Sequence, residues 1–348
     1  MQQSQLTIGL DLGDRRSHVC VLDEKGDVVT RTDVATTRPG ITKLFRAYAG
    51  ATVVMEAGTH SRWVSALLGQ LEFRTLVADA RQVRLIYGSN NKTDAFDAEK
   101  LARLARVDER LLNPIQHRSE QAQADLAVVK ARDVLVAARK DLINHVRAAV
   151  KGMGERLPAC DADGFARKVK DHVPEILAPA LSHLVAALEE LTKRIKDIER
   201  VIERMAAVAY PETARLAQVP GVGPITALTF VLTIEDQERF KDPRSVGAFL
   251  GLVPRRDQSG ERDPRLGITK AGNGYLRRLL VNCAHYIVGP FGPECDLKRF
   301  SLRICPAGDT ARKKRAVVAV ARKLSVLLYR LWQTGDDYQP NRLLAKAA

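Results

Sequence analysis

Four carboxylates stand where metal chemistry could use them. Asp11 ends the apolar run "LTIGLD", and Glu56 ends a second apolar run, "ATVVME". Asp94 and Asp97 lie three apart in "NKTDAFDAEKLARLA", so on a helix they share one face about a turn from each other. On a solvated helix that repulsion costs a few tenths of a kcal/mol; a bound cation removes it. Four hard oxygen donors have the composition of a two-Mg²⁺ site, with Mn²⁺ able to substitute. Two such ions about 4 Å apart clamp the attacking and leaving oxygens of a phosphodiester. A strand-end Asp is common by itself, and so is an acidic i,i+3 pair on a solvated face. The ordered set is the informative feature.

Those acids need a scaffold. "LTIGLDLG", "HVCVLDE" and "VVTRTDV" read as three hairpin-linked strands. A short helix with Pro39 near its start ends before Gly50. The strand "ATVVMEAG", the helix "SRWVSALLGQL" and the strand "RTLVAD" follow. A three-strand meander followed by alternating helices and strands is the order of a ribonuclease-H-like domain. In that sheet the first and fourth strands are neighbours, and Asp11 and Glu56 meet at one edge.

The rest of the chain is helical, so the expected fold class is α/β plus α. From Leu181 the apolar residues Leu184, Leu188, Leu191, Ile195, Ile198, Ile202 and Met205 alternate spacings of three and four, a heptad seam. An earlier helix over about 119–150 has a similar pattern. The two helices pair either within the chain or across a dimer. The expected domains are 1–110, an arm over 111–212, a basic helical domain over 213–340 and a tail over 341–348. In the third, "VPGVGPITA" resembles the hairpin of helix-hairpin-helix motifs. There Gly221 and Gly223 would bring backbone N–H groups to a phosphate. A plain turn between helices reads the same.

The formal net charge is +14, which favours a polyanionic partner, nucleic acid before membrane. The excess sits late in the chain: residues 239–280 hold ten Lys/Arg against four acids. Arg255, Arg256, Arg262 and Arg265 are positioned to neutralise a phosphate. Lys270, Asn273, Arg277 and Arg278 suit backbone contacts, although "GITKAGNGYLRR" also reads as a turn capping a helix. Aromatic residues are 5% of the chain, which fits backbone recognition of duplexes better than stacking on single strands. No apolar run approaches the roughly 20 residues of a membrane span. The five cysteines are odd in number and lack any C-x-x-C pair, as expected in a reducing compartment. "MQQSQLTIGL" lacks the features of a signal peptide. The bacterial cytoplasm, close to the nucleoid, is the expected address.

These segments together resemble the DEDD insertion-sequence transposases of the insertion-sequence 110 family, relatives of the pilin-gene invertases and known as bridge-RNA-guided recombinases. The resemblance rests on "IGLDLG", "VVMEAG", "KTDAFDAEKLA", "VPGVGPITA", "FLGLVPRRDQSG" and "ITKAGNGYLRRLL". It implies a RuvC-like first domain with metal-binding acids on Asp11, Glu56, Asp94 and Asp97. Beyond the coiled-coil arm read from the heptad seam, it implies a C-terminal transposase domain whose catalytic serine falls on Ser259. The chain departs from many members in lacking a Lys soon after the first Asp; "DLGDRRS" offers Arg15 or Arg16 there. The implied partners are donor and target DNA, a bridge RNA, and further copies of the chain, as a dimer or tetramer through the arm. On residue type alone Ser259 is a turn serine, and Tyr275 is a rival nucleophile. A junction-resolving nuclease using water and a non-catalytic nucleic-acid scaffold are the competing functions. An actin-like sugar kinase also begins with "DLG" but needs a second glycine-rich phosphate loop, and none is visible.

Overall fold

The computed structural model describes residues 6–80, 94–260, 262, 264, 266–306 and 310–342; of residues 94, 95, 310 and 311 it describes the backbone alone. The chain divides into two compact units, Met1–His117 and Arg118–Ala348.

The first unit is built on a five-stranded sheet. Its strands are β1 (Thr7–Asp11), β2 (Arg16–Leu22), β3 (Val28–Ala35), β4 (Thr52–Glu56) and β5 (Arg74–Ala78), in the order β3-β2-β1-β4-β5. β1 pairs antiparallel with β2, and β2 with β3; β4 runs parallel to both β1 and β5. This is the order expected of a ribonuclease-H-like sheet. β1 and β4 are short apolar runs because both of their faces are covered. β3, at the edge, alternates exposed and half-buried residues along most of its length.

The two faces follow the period of two along each strand. Ile8, Leu10, Val53 and Met55 pack with Ile41 and Phe45 of α1 (Arg38–Phe45) and Val64 and Leu68 of α2 (Ser61–Gln70). The opposite face carries Gly9, Cys20, Leu22 and Val54. It is covered by α3 (Asp94–Val107) through Ala98, Leu101, Ala102 and Leu104.

The approach of α3 is closest at Gly9. A Cβ built there would lie 1.8 Å from the carbonyl oxygen of Ala98. Arg31 and Arg103 both grip Glu99, at 2.6 and 2.8 Å, and hold its carboxyl below the usual carboxylate range. Arg103 and Arg106 then reach the β2–β3 turn, donating to the carbonyls of Gly26 (3.2 Å) and Asp23 (2.7 Å). That turn lies beside the start of β1, where Thr7 pairs with Leu22. The helix therefore runs antiparallel to β1, with its N-terminus toward the strand ends that carry Asp11 and Glu56.

The second unit is helical. Its long helices, α4 (Glu120–Gly152) and α6 (Ala178–Val208), pair with each other within the chain. Leu126 and Val129 meet Ile202 and Ala206 at one end; Val146 and Val150 meet Leu181 and Val185 at the other, under Phe165 of α5 (Phe165–Val169). Of the two arrangements open from sequence, the internal hairpin forms. It uses half of the seam: Leu181, Leu188, Ile195 and Ile202 are buried, whereas Leu184, Leu191, Ile198 and Met205 remain half-buried.

The remaining helices are α7 (Thr213–Leu216), α8 (Pro224–Ile234), α9 (Ser245–Phe249), α10 (Gly274–Val288), α11 (Asp296–Ile304) and α12 (Thr310–Thr334). They enclose one core that includes Phe230, Leu280, Ile287, Val320, Leu324 and Tyr329. Among the described residues, no helix is long and apolar enough to cross a membrane.

Candidate functional site

Asp11 and Glu56 each follow the last registered pair of β1 and β4, Leu10 with Met55. Each is also two residues beyond a residue of the α3-covered face, Gly9 and Val54. The two carboxylates therefore stand side by side at the strand ends, on the face toward the N-terminus of α3. Asp97 lies in the first turn of that helix and pairs with Lys100 at 3.2 Å. The backbone of Asp94 opens the helix, and its side chain lies outside the described residues. Among the described residues, no three His, Cys, Asp or Glu side chains are gathered closely enough to hold a metal ion. The structure thus juxtaposes two acids and directs the helix of the other two toward them, without a completed ligand set. The donors are all carboxylate oxygens, which fits a hard divalent cation.

Two neighbours of this edge were not singled out from sequence. His18 is registered against Asp11, and its Nδ1 lies 2.6 Å from Asp33 of β3. Asp79 follows Ala78, the partner of Glu56 in β5, and its N–H donates to the carbonyl of Leu112. Counting register back from the turn "DRRS" would have placed His18. "RTLVAD" already has the form of an apolar run ended by an acid.

In the second unit, the described residues between 251 and 270 pair as an irregular hairpin. Arg255 N–H donates to the Gly267 carbonyl (2.9 Å) and Thr269 N–H to the Val253 carbonyl (2.9 Å). Ser259 and Arg262 exchange backbone hydrogen bonds of 3.0 and 3.1 Å across the tip. Gly260, at φ +57°, turns the chain there in a conformation that favours glycine. Ser259 is exposed, as are Arg255, Arg256, Arg262 and Lys270. Arg265 lies outside the described residues.

The segment "KAGNGYLRR" does structural work. Asn273 Oδ1 caps α10 by accepting from Tyr275 N–H (3.0 Å) and Leu276 N–H (3.1 Å). Arg277 donates to the carbonyls of Leu250 (3.0 Å) and Ala271 (2.7 Å). Arg278 pairs with Asp133. Gly221 (φ +80°) is packed against α10, where a Cβ would meet the Tyr286 ring at 2.9 Å; Gly223 is the uncrowded residue preceding α8. The Tyr275 hydroxyl is buried, and burial pushes its pKa up. A tyrosine so placed is a poor nucleophile.

Known proteins resemble both units. Residues 8–154 match the DEDD_Tnp_IS110 family model, described as a transposase. Residues 213–296 match the model described as the transposase IS116/IS110/IS902 family. The chain is 30% identical to the transposase for insertion sequence element IS1111A of Coxiella burnetii, over 95% of this chain and 91% of the relative. It is 30% identical to the transposase for IS1328 of Yersinia enterocolitica, over 80% of this chain and 82% of that one. The pilin gene-inverting protein of Moraxella lacunata is 30% identical over 33% of this chain and 34% of its own length. Family models at both ends and a relative matched over nearly its whole length agree: the chain belongs to the IS110 family of DEDD transposases, enzymes that act on DNA.

Proposed function

We propose that this transposase breaks and rejoins DNA strands through a serine–phosphate intermediate, assisted by a carboxylate metal site. The observation that carries the metal site is the pairing of Asp11 and Glu56 at the ends of adjacent parallel strands, facing the start of the D-x-x-D helix. Asp11, Glu56, Asp94 and Asp97 would hold Mg²⁺, as two ions, with Mn²⁺ as a substitute. A bound divalent cation supplies positive charge against a phosphate that grows more negative in the transition state. Omitting divalent ion is expected to abolish joining of element ends, with Mg²⁺ or Mn²⁺ restoring it and Ca²⁺ acting poorly. Full joining in a chelator would exclude the site.

Ser259 supplies the nucleophile from an exposed hairpin tip among arginines. Its Oγ forms an ester to phosphorus as one bridging P–O bond breaks. The serine proton passes to a base or solvent, and the departing oxygen leaves as a hydroxyl. A hydroxyl from the new strand reverses the step and releases the serine. Each ester bond is replaced by another of similar energy, so rejoining needs no ATP. Arg255, Arg256, Arg262 and Arg265 offset phosphate charge; Lys270 suits a backbone contact. Asn273, Arg277 and Arg278 act as supports of that surface, given their internal hydrogen bonds.

The partners of this reaction are donor ends, target DNA and an element-encoded bridge RNA that pairs with both. Nuclease-resistant RNA co-purifying from cells carrying the whole element is the expected sign, and recombination by RNA-free protein would remove the RNA from the scheme. The half-buried pair Leu191 and Ile198, one heptad apart on the arm, supports assembly through it. Leu191→Asp or Ile198→Asp puts a charge into that pair, which costs several kcal/mol if a second copy covers it. Oligomeric mass by light scattering should fall while helicity stays; unchanged mass would leave the arm as an internal hairpin alone.

A further inference from the structure

A groove of about 1560 Å³ in the second unit is walled by hairpin 251–270 on one side and by α11 and α12 on the other. Sites for small ligands run to roughly 1,000 Å³, so the groove has room for part of a polymer. Its lining combines two chemistries. Among the described residues, nine Lys or Arg line it against two acids, Asp296 and Asp336. Asp296 is already held by Arg299 at 2.7 Å. Among the described residues none of the nine cations is held by a carboxylate. The charge therefore calls for a polyanion.

The floor is apolar. Leu266 and Ile268 of the hairpin and Val318, Val326 and Leu327 of α12 line it, each half-buried. On α12 the residues Val318, Arg322, Val326 and Arg330 follow at intervals of four, so apolar and cationic side chains share one stripe. A duplex offers phosphates to the cations but keeps its base faces stacked inside, where this floor cannot reach them. An apolar protein segment suits the floor and leaves the cations unmatched. A single strand satisfies both, with phosphates on the rim and unstacked bases against the floor. The lining also holds Gln333, Thr334, Tyr338 and Gln339, but the five aliphatic residues of the floor offer a ribose 2′-hydroxyl no polar partner.

We infer that this groove holds a single strand of DNA and leads it along the hairpin wall toward Ser259. The inference rests on the strand-breaking reading above, since strand exchange passes through unpaired DNA. The composition, poor in aromatic residues, favoured duplex recognition; here aliphatic side chains join the rings of Phe300 and Tyr338, which also line the groove.

The test uses the full chain and fluorescence anisotropy with a 12-nucleotide oligo-dT, the matching oligo-U, and a duplex of the same length. Arg322→Gln/Arg330→Gln is expected to weaken oligo-dT binding at least tenfold. It should also lower the salt slope by about 1.4, at about 0.7 per single-strand phosphate contact. Val326→Asn is expected to weaken oligo-dT binding severalfold at unchanged slope and to leave duplex binding alone. Equal melting temperatures qualify each variant; if Val326→Asn melts low, Val326→Thr replaces it. Unchanged oligo-dT affinity, equal losses on duplex, or tighter binding of oligo-U would overturn the inference. Ser259→Ala should bind oligo-dT like the parent protein. Strand binding without any adduct at Ser259 would remove the nucleophile and keep the groove; an adduct with no effect of the groove variants would do the reverse.

Discussion

Asp11→Asn and Glu56→Gln are each expected to abolish strand transfer while the melting temperature stays within a few degrees of the parent's. Both changes keep the size and shape of the side chain and remove its charge. Loss of one anionic ligand forfeits several kcal/mol of charge stabilisation at the phosphate, and about 4 kcal/mol is roughly a thousandfold in rate. The two residues end neighbouring strands and belong to none of the apolar clusters of the sheet, so the core keeps its packing. Joining of element ends and Mn²⁺ binding by calorimetry should fall together. A variant that still joins ends at the parent's rate would reduce its acid to a structural strand end. Asp94→Asn and Asp97→Asn extend the series to the helix.

Gly9→Val is expected to destabilise the first unit more than any surface change. Its new Cβ would overlap the Ala98 carbonyl, a backbone atom 1.8 Å away that cannot rotate aside. Overpacking of this kind costs about 1–3 kcal/mol or more. Helix α3 must lift off β1 and carry Asp94 and Asp97 away from Asp11 and Glu56. Both thermal stability and strand transfer should fall. Gly69→Ala is the control: nothing lies within 4 Å of the added Cβ, inside helix α2. It should be neutral or stabilise by about 0.5–1 kcal/mol. Equal melting of Gly9→Val and the parent would mean that α3 does not rest on β1 as described.

Much of the first unit is legible in the sequence, for a physical reason. β1 and β4 are buried on both faces, so they read as unbroken apolar runs, and an acid at the end of such a run stands out. The hairpin-linked strands are bounded by the polar turns "DRRS" and "KGD". Gly9 was not legible in this way, because a glycine inside an apolar run has several uses. Only the packed helix shows that this one makes room for a carbonyl. His18 is legible only by counting register back from "DRRS", since a lone His in a strand carries no motif of its own. The hairpin over 251–270 is not legible: "RRDQSGERDPR" has no alternation of apolar and polar residues, and backbone bonds to "GIT" shape it. The seam of α6 was clear, but spacing alone cannot distinguish a partner within the chain from one outside it. Half of that seam is buried internally and half is not. In "GNGYLRR" the sequence admitted both a phosphate contact and a helix cap; the structure uses Asn273 as the cap.

The nucleophile is the centre of the account, and one measurement addresses it directly. The protein is incubated with element-end DNA and Mg²⁺, denatured and proteolysed, and the DNA-linked peptide is identified by mass spectrometry. The expected result is phosphate on the peptide containing Ser259, no adduct and no recombinant with Ser259→Ala, and an unchanged adduct with Tyr275→Phe, whose hydroxyl is buried. Phosphate on the peptide containing Tyr275, or strand cleavage undiminished in Ser259→Ala, would contradict it and assign the chemistry to tyrosine or water.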